Sequence, residues 1–268
     1  MVDLSYVVDR LSALILEAKR VVVFTGAGVS TESGIPDFRS PGGIWSRYDP
    51  EDFTIHRFLS SPETRKIHWK MFIEGGLTAE VEPNPAHYGI AELHQLGKLD
   101  CVITQNVDNL HQKAGVPEDK VFELHGNMQR VLCLSCRTRF PMKEVLQWIA
   151  GGIEVPDCPD CRGILKPDAV LFGEALPRET LMEATHRSQN CDLFVVIGSS
   201  LVVYPAAYMP SHALSAGAKL AIINLTPTPL DHQATVVIQG KAGEIMPKVM
   251  EGLRSRISVQ ENSSSTSS

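Results

Sequence analysis

Apolar residues along the chain fall into two alternating rhythms. Short, almost continuous apolar runs occur at Val21–Phe24, Cys101–Thr104, Val121–Leu124, Leu193–Gly198, Leu220–Asn224 and Val236–Gln239. Such runs mark strands buried on both faces. Elsewhere the apolar positions recur at helical spacing. Leu4, Val7, Val8, Leu11, Leu14 and Ile15 form one such stripe, and Ala86–Leu96 and Leu181–Gln189 carry similar patterns. Strands alternating with helices predict an α/β fold with a mostly parallel, Rossmann-like sheet covered on both faces.

Two stretches break the rhythm. Residues 41–78 hold no strand pattern and carry turn signals at Pro41-Gly42-Gly43 and Gly75-Gly76, so loop and short helices are expected. Residues 130–167 hold short segments punctuated by Pro and Gly. Both read as insertions that together form a smaller lobe. The larger lobe then takes 1–40, 79–129 and 168–257. The segment 258–268 is nearly all Ser, Thr, Asn and Gln, and is expected to be a disordered tail.

Charge and cysteine content narrow the chemistry. The 268 residues carry 25 basic and 31 acidic side chains, a net charge of −6. A general nucleic-acid coat needs a basic face instead. No run approaches the roughly 18 apolar residues of a membrane span. The first twenty residues mix acids and bases and lack a secretory apolar region, so a cytoplasmic protein is expected. Four of the six cysteines form two pairs, Cys133-x-x-Cys136 and Cys158-x-x-Cys161, with 21 residues between them. Each pair can aim two thiolates at one point, and this spacing is close to that of a four-cysteine zinc ribbon, with two unrelated thiol pairs or two disulfides as the alternative. With four protein ligands the metal has no open position, so a structural zinc is expected. Cys101 and Cys191 stand alone beside strands and read as small buried apolar residues.

Candidate chemistry gathers at strand ends, where open α/β sheets bind ligands. After the first strand comes Thr25–Ser40, T-G-A-G-V-S-T-E-S-G-I-P-D-F-R-S. Its Gly26-Ala27-Gly28 suits a dinucleotide pyrophosphate on free backbone N–H groups. Thr31 replaces the third glycine of the dehydrogenase fingerprint, and Asp37 and Arg39 add opposite charges. That points to a nucleotide held for chemistry on its own bonds. Asp49 and Glu51 follow no second strand and are not expected to hold a ribose. Gln105, Asn106 and Asp108 follow the second strand and suggest a ligand site, with helix capping by Asn106 or Asp108 as the alternative. His111 reads as a packed or capping histidine. His125-Gly126 follows the third strand and is the histidine best placed for acid–base work, against a purely structural role. Gly198-Ser199-Ser200 and Asn224-Leu225 complete the set.

The chain resembles the sirtuin family of NAD-dependent protein-lysine deacylases from about Val21 to Val249. The resemblance rests on GAGVSTESGIPDFR, TQNVDNLH, LHG, the paired cysteines, KPDAVLFGE, GSSLVVYPA and IINL, in family order. It implies a Rossmann lobe and a smaller zinc-plus-helical lobe with a cleft between them. It implies that Gly26, Ala27, Gly28, Thr31, Asp37, Phe38 and Arg39 border NAD. Gln105, Asn106, Val107 and Asp108 would line the ribose and nicotinamide end. Gly198, Ser199, Ser200, Asn224, Leu225 and a backbone group near Ala242 would hold the adenosine side. His125 resembles the catalytic base, aided by Asn106 and Asp108. Val170, Phe172, Gly173 and Glu174 would form one edge of the acyl-lysine peptide site, and Val202, Val203 and Tyr204 the other, with the peptide as an added strand. The implied products are nicotinamide, free lysine and O-acyl-ADP-ribose.

Some relatives accept succinyl groups through a Tyr-x-x-Arg pair. The matching stretch here, Trp69-Lys70-Met71-Phe72, lacks that arginine, so an apolar acyl chain is expected. A mono-ADP-ribosyltransferase is the alternative activity, and a non-enzymatic NAD- or peptide-binding module a third reading. The expected partners are acyl-lysine segments of other proteins, without membrane or direct nucleic-acid contact, and a monomer is expected.

Overall fold

The structure is a computed structural model that describes residues 3–38, 42–73 and 81–265. In chain order, α1 (Leu4–Glu17) leads into β1 (Val21–Thr25), and α2 (Ile55–Ser60) and α3 (Pro62–Ile73) lie in the first insertion. Next come α4 (Pro85–Gln95), β2 (Leu99–Thr104), α5 (Leu110–Lys113) and β3 (Val121–Glu123). The second insertion holds β4 (Gly126–Cys133), β5 (Arg139–Pro141), α6 (Met142–Ala150) and β6 (Leu165–Ala169). The rest is α7 (Arg178–Gln189), β7 (Leu193–Ile197), α8 (Met209–Ser215), β8 (Lys219–Asn224), β9 (Val236–Gln239) and α9 (Ala242–Ser265).

The six apolar runs of the sequence are the six strands of the main sheet. Their order is β3-β2-β1-β7-β8-β9, and every pairing is parallel. The chain steps outward from β1 through β2 to β3. It then returns to the other side of β1 and steps outward through β7, β8 and β9. Loops leaving β1 and β7 therefore diverge, and the ligand crevice of such a sheet lies at this switch point.

Alternate side chains of each strand enter opposite cores. Val21, Val23, Val195 and Ile197 pack with Leu11, Ile15, Ile90 and Val249, from the helices α1, α4 and α9. Val22, Phe24, Phe194 and Val196 pack with Ala184, Met209 and Ala213 from α7 and α8. Cys101 and Cys191 lie in this second core as expected, and burial pushes both thiols up.

A second, antiparallel sheet has the order β5-β4-β6. Trp69, Met71 and Phe72 of α3 are buried with Val131, Cys133, Met142, Val145, Cys158 and Leu165. The two insertions thus share one hydrophobic core. The expected disordered tail is corrected over 258–265, where α9 continues to Ser265. Its Ser and Asn residues cost only tenths of a kcal/mol each in a helix, and extending an existing helix adds a hydrogen bond per residue. Residues 266–268 lie outside the described residues.

Gly198, just after β7, has φ +64°, and a Cβ there would sit 2.2 Å from Val29 N and 2.5 Å from the carbonyl carbon of Gly28. Gly198→Ala is expected to destabilise the fold by about 2 kcal/mol or more. Urea denaturation followed by circular dichroism checks this, and an unchanged midpoint would contradict it.

Candidate active site

The turn after β1 is pressed onto the end of β7. Gly26 N–H donates to Ile197 O at 3.3 Å, and Gly28 N–H to Gly198 O at 2.8 Å. A Cβ on either glycine would lie under 3 Å from Gly198, so this approach excludes side chains. Ala27 is half-buried, while Thr31 is exposed and its hydroxyl donates to Gly28 O at 3.1 Å. Glu32 accepts from Gly243 N–H at 2.6 Å, which ties the loop to the start of α9 beside the buried Ala242.

The loop after β2 carries a compact polar network. The Asn106 amide is buried and donates to Ser30 Oγ at 3.0 Å. Ser30 Oγ donates to Asp108 Oδ2 at 2.7 Å. The other Asp108 oxygen accepts from Leu110 N–H at 3.0 Å. Asp108 thus accepts from the first backbone N–H of α5 and from Ser30 at once. Val107 O accepts from Met128 N–H, joining this loop to β4. Gln105 donates to Ser199 Oγ at 2.8 Å, bridging the ends of β2 and β7. Asp49 accepts from Glu51 N–H and caps a short turn in the first insertion.

His125 is half-buried one residue before β4. Its Nδ1 lies 3.0 Å from Gln105 O. A carbonyl only accepts, so Nδ1 carries the proton and Nε2 keeps its lone pair. Burial holds the imidazole below its ordinary pKa, and the Gln105 carbonyl opposes that in part. The result is a neutral imidazole with a basic nitrogen available at neutral pH. Its own carbonyl accepts from Val170 N–H at 2.9 Å. Gly126 has φ +78°, and a Cβ there would meet Asp168 O at 2.0 Å. This glycine therefore admits the β6 backbone behind the histidine.

The remaining sequence candidates lie around this centre. Ser199 is buried and Ser200 half-buried after β7. The Asn224 amide donates to Thr226 O at 2.7 Å, and Leu225 leaves an apolar side chain 59% exposed. Asp37 O accepts from Ile44 N–H at 2.9 Å. Phe38 stacks on Trp45 at 5.3 Å, and Trp45 lies 5.8 Å from Phe172. Arg39 lies outside the described residues. Phe172 exchanges backbone hydrogen bonds with Phe53 O and Ile55 N–H, both 2.9 Å. Phe172, Gly173, Val202 and Tyr204 are exposed, and Val170, Glu174 and Val203 half-buried.

The four paired cysteines converge. All four Sγ atoms lie within 4.8 Å of one another, with Cys133–Cys161 at 3.5 Å and Cys136–Cys158 at 3.7 Å. Those separations are too long for disulfides. Tetrahedral zinc with Zn–S bonds of about 2.3 Å requires sulfurs about 3.8 Å apart, so the donor set fits the ion. The two turns are alike: Arg137 and Arg162, each following its pair, have φ +66° and +61°.

The Sir2 family pattern matches residues 26–205. The chain is 47% identical over 247 residues to the NAD-dependent protein deacetylase 1 of Pyrobaculum aerophilum, covering 92% of this chain and 94% of that protein. It belongs to the Sir2 family. Among solved structures it resembles a Sir2 complex with a deacetylated p53 peptide and 3′-O-acetyl ADP ribose. There the TM-score is 0.83 and identity 40%, over 90% of this chain and 96% of that one. It also resembles a Sir2 protein bound to a myristoylated histone peptide, with TM-score 0.77 and 40% identity over 94% and 98% of the two chains.

Sequence reasoning left three contacts of this sirtuin unassigned. Ser30 was part of the opening motif, but nothing in the string marks its hydroxyl as the bridge between Asn106 and Asp108. Glu32 looks like any exposed acid. His87 is fully buried in α4, its Nε2 3.5 Å from Ser30 Oγ, and its ring lies 5.1 Å from that of His111. Burial pushes His87 down to about 4 and His111 well below its ordinary value. His111 is packed, as expected, with Nε2 2.9 Å from Thr25 Oγ1.

Two outcomes are expected. Cys136→Ser should lower bound zinc well below one per chain, as read by elemental mass spectrometry, with a lower melting temperature. Full zinc in a stable variant would contradict the site. Separately, His68, His87, His111 and His125 are all held below the ordinary value chiefly by burial. Above about pH 6.5 they are neutral folded and unfolded alike. Below it the unfolded chain takes up protons that the folded chain refuses, so stability falls with pH. Each histidine contributes up to about 1.4 kcal/mol per pH unit until its own folded value is reached. Melting temperatures should therefore drop from pH 7 to pH 5, and a flat profile would refute the burial argument.

Proposed function

We propose that this sirtuin is an NAD-dependent protein-lysine deacylase, with His125 as the general base. NAD is its co-substrate, and one structural zinc holds the small lobe. The observation that carries the reading is the neutral His125, its Nε2 lone pair directed away from Gln105, on the strand-end side of the sheet that bears Ser30, Asn106 and Asp108. Cleaving the nicotinamide–ribose bond develops positive charge on the ribose. Asp108 is the carboxylate at the site able to balance it, and Asn106 and Ser30 fix its orientation. As nicotinamide leaves, the acyl oxygen of the substrate bonds to the ribose C1′. His125 Nε2 takes a proton from a neighbouring ribose hydroxyl, which attacks the carbon of that captured acyl group; lysine then leaves and water completes O-acyl-ADP-ribose. A general base of this kind contributes typically about 10²–10⁴-fold. On this reading Gly26, Ala27, Gly28 and Thr31 border the nucleotide with Asp37, Phe38 and Arg39. Gln105 and Val107 flank the reacting end, and Gly198, Ser199, Ser200, Asn224, Leu225 and Ala242 hold the adenosine side.

The acyl-lysine segment of a partner protein would lie between Val170–Glu174 and Val202–Tyr204. The acyl chain would be apolar, because Phe38, Trp45, Phe53 and Phe172 form a continuous aromatic group beside that edge. The same reading divides the chain into a Rossmann lobe of 1–40, 79–129 and 168–257 and a small lobe of 41–78 and 130–167. No helix among the described residues is long and apolar enough to cross a membrane. Thiolates that hold zinc must stay reduced, which suits a reducing compartment and favours the cytoplasm.

Mass spectrometry of acetyl, butyryl, myristoyl and succinyl versions of one lysine peptide, incubated with NAD, tests the proposal. Nicotinamide, O-acyl-ADP-ribose and free lysine are expected, with apolar chains preferred and a loss of at least about 100-fold in His125→Ala. Full activity in that variant would remove the base assignment. ADP-ribose retained on protein, without loss of acyl groups, would establish the transferase alternative instead.

A further inference from the structure

Lys166 is an unusual residue for its position. It lies inside β6 and is 2% exposed, although a lysine is almost never fully buried unless paired. Its ammonium has three donors and no acceptor. Three acceptors meet it: Pro167 O at 3.1 Å, Ala169 O at 2.5 Å and Glu174 Oε2 at 3.1 Å. All three belong to the segment that follows it directly in sequence. Burial pushes Lys166 below its ordinary value, and Glu174 beside it opposes that shift. With its donors engaged and its side chain covered, Lys166 does not face a ligand itself.

The segment it closes carries the proposed peptide edge. Glu174 Oε2 also accepts from Leu171 N–H at 3.0 Å, and Glu174 N–H donates back to Leu171 O at 3.0 Å. The resulting turn passes through Gly173, with φ +79°, and leaves Phe172 46% exposed. Up to Ala169 the strand is held by its ladder with β4, which pairs Cys133 with Leu165, Val131 with Pro167 and Gly126 with Ala169. Beyond Ala169 that ladder ends. From there Val170 is tied to His125 O, Phe172 to the first insertion, and Glu174 to Lys166. The Lys166–Glu174 ion pair therefore sets how the edge turns away from the catalytic histidine.

We infer that Lys166 is a positioning residue for the acyl-peptide site, locking Val170–Glu174 against His125 through its ion pair with the half-buried Glu174. This rests on the reading of that segment as the peptide edge. A group acting there affects the peptide far more than NAD, whose proposed contacts lie on β1, β2, β7, β8 and α9. Loss of the ammonium leaves the ladder in place but releases Glu174 and the turn it closes.

Steady-state kinetics on the zinc-loaded full chain, with an acetyl-lysine peptide and NAD varied in turn, test the inference. Lys166→Met keeps the apolar stem and is expected to raise the peptide KM at least tenfold, with the NAD KM changed less than twofold. Lys166→Arg, which keeps the charge, is expected to recover most of the loss. Glu174→Gln should move the peptide KM in the same direction, and the double variant should be no worse than the more impaired single one. That non-additivity marks a shared interaction rather than two separate injuries. An unchanged peptide KM in folded Lys166→Met, an equal rise in both KM values, or additive effects would overturn the inference. If Lys166→Met does not fold, Glu174→Gln alone decides: a selective rise in peptide KM supports the inference and no change overturns it. A wild-type chain that never turns over the peptide overturns the peptide-site reading and this inference with it. An active wild type with unaffected variants overturns this inference alone.

Discussion

The close approach of two backbones at the centre of the sheet is the constraint on which the site depends. The turn Gly26–Gly28 leaves β1 directly against Gly198 at the end of β7, with hydrogen bonds from Gly26 to Ile197 and from Gly28 to Gly198. Only glycines allow it at these positions. β1 and β7 flank the point where the strand order reverses, so the same contact fixes where the loops part. Once the turn is seated, Ser30 lies within reach of Asn106 and Asp108 from β2, and Gln105 reaches Ser199. Loops from three neighbouring strands are thereby locked together. Fixed positioning of this kind lowers the cost of organising a reaction.

Low polarity behind the site does the second task. His87 lies beside Ser30 and the ring of His111 is tilted against it, both kept neutral by burial. Neutral rings there add no positive charge to compete for Asp108. His125 is also kept neutral, and the Gln105 carbonyl selects the tautomer with Nε2 basic. Burial alone would give a poor proton acceptor. The carbonyl restores part of the basicity by favouring the protonated form. Burial and hydrogen bonding thus oppose one another at His125, the balance that the proposed role of accepting and later releasing a proton requires.

The sheet was legible in the sequence because a parallel strand buried on both faces leaves an unbroken apolar run. Val21–Phe24 and Leu193–Ile197 are such runs, and they became β1 and β7. The cysteine cluster was legible because its spacing is its chemistry. The loop residues were legible as polar groups after strands. Their partners were not, since Ser30 meets Asp108 across 78 positions and Gln105 meets Ser199 across 94. Trp69 and Phe72 show another limit. An apolar stretch in a helical insertion serves an acyl pocket or a core equally well by composition, and here both side chains are buried against the zinc module. The helix over 258–265 was missed because composition alone does not reveal that a long helix is already running into the segment. Lys166 was hidden for a different reason. A lysine in a sequence reads as surface until the fold shows three acceptors closing on it.

The zinc module and His125 are mechanically continuous. β4 begins at Gly126, one residue after His125, and ends on Cys133, a thiol of the cluster. β6 starts at Leu165, shortly after Cys161, and ends at Ala169, next to the proposed peptide edge. The eight extended residues of β4 span about 26 Å and the five of β6 about 17 Å, so both run from the metal end of the lobe toward His125. Their pairing near the cysteines, Cys133 with Leu165 and Leu132 with Lys166, is regular, while the register shifts between Gly126 and Val131. The cluster thus anchors the regular end of the ladder. The irregular end, beside His125, relies on Gly126 to admit the Asp168 carbonyl and on Lys166 to hold the turn that follows. A metal with no open coordination position contributes no chemistry to the reaction. It fixes the far ends of two strands, so that their near ends can depart from regular pairing beside His125.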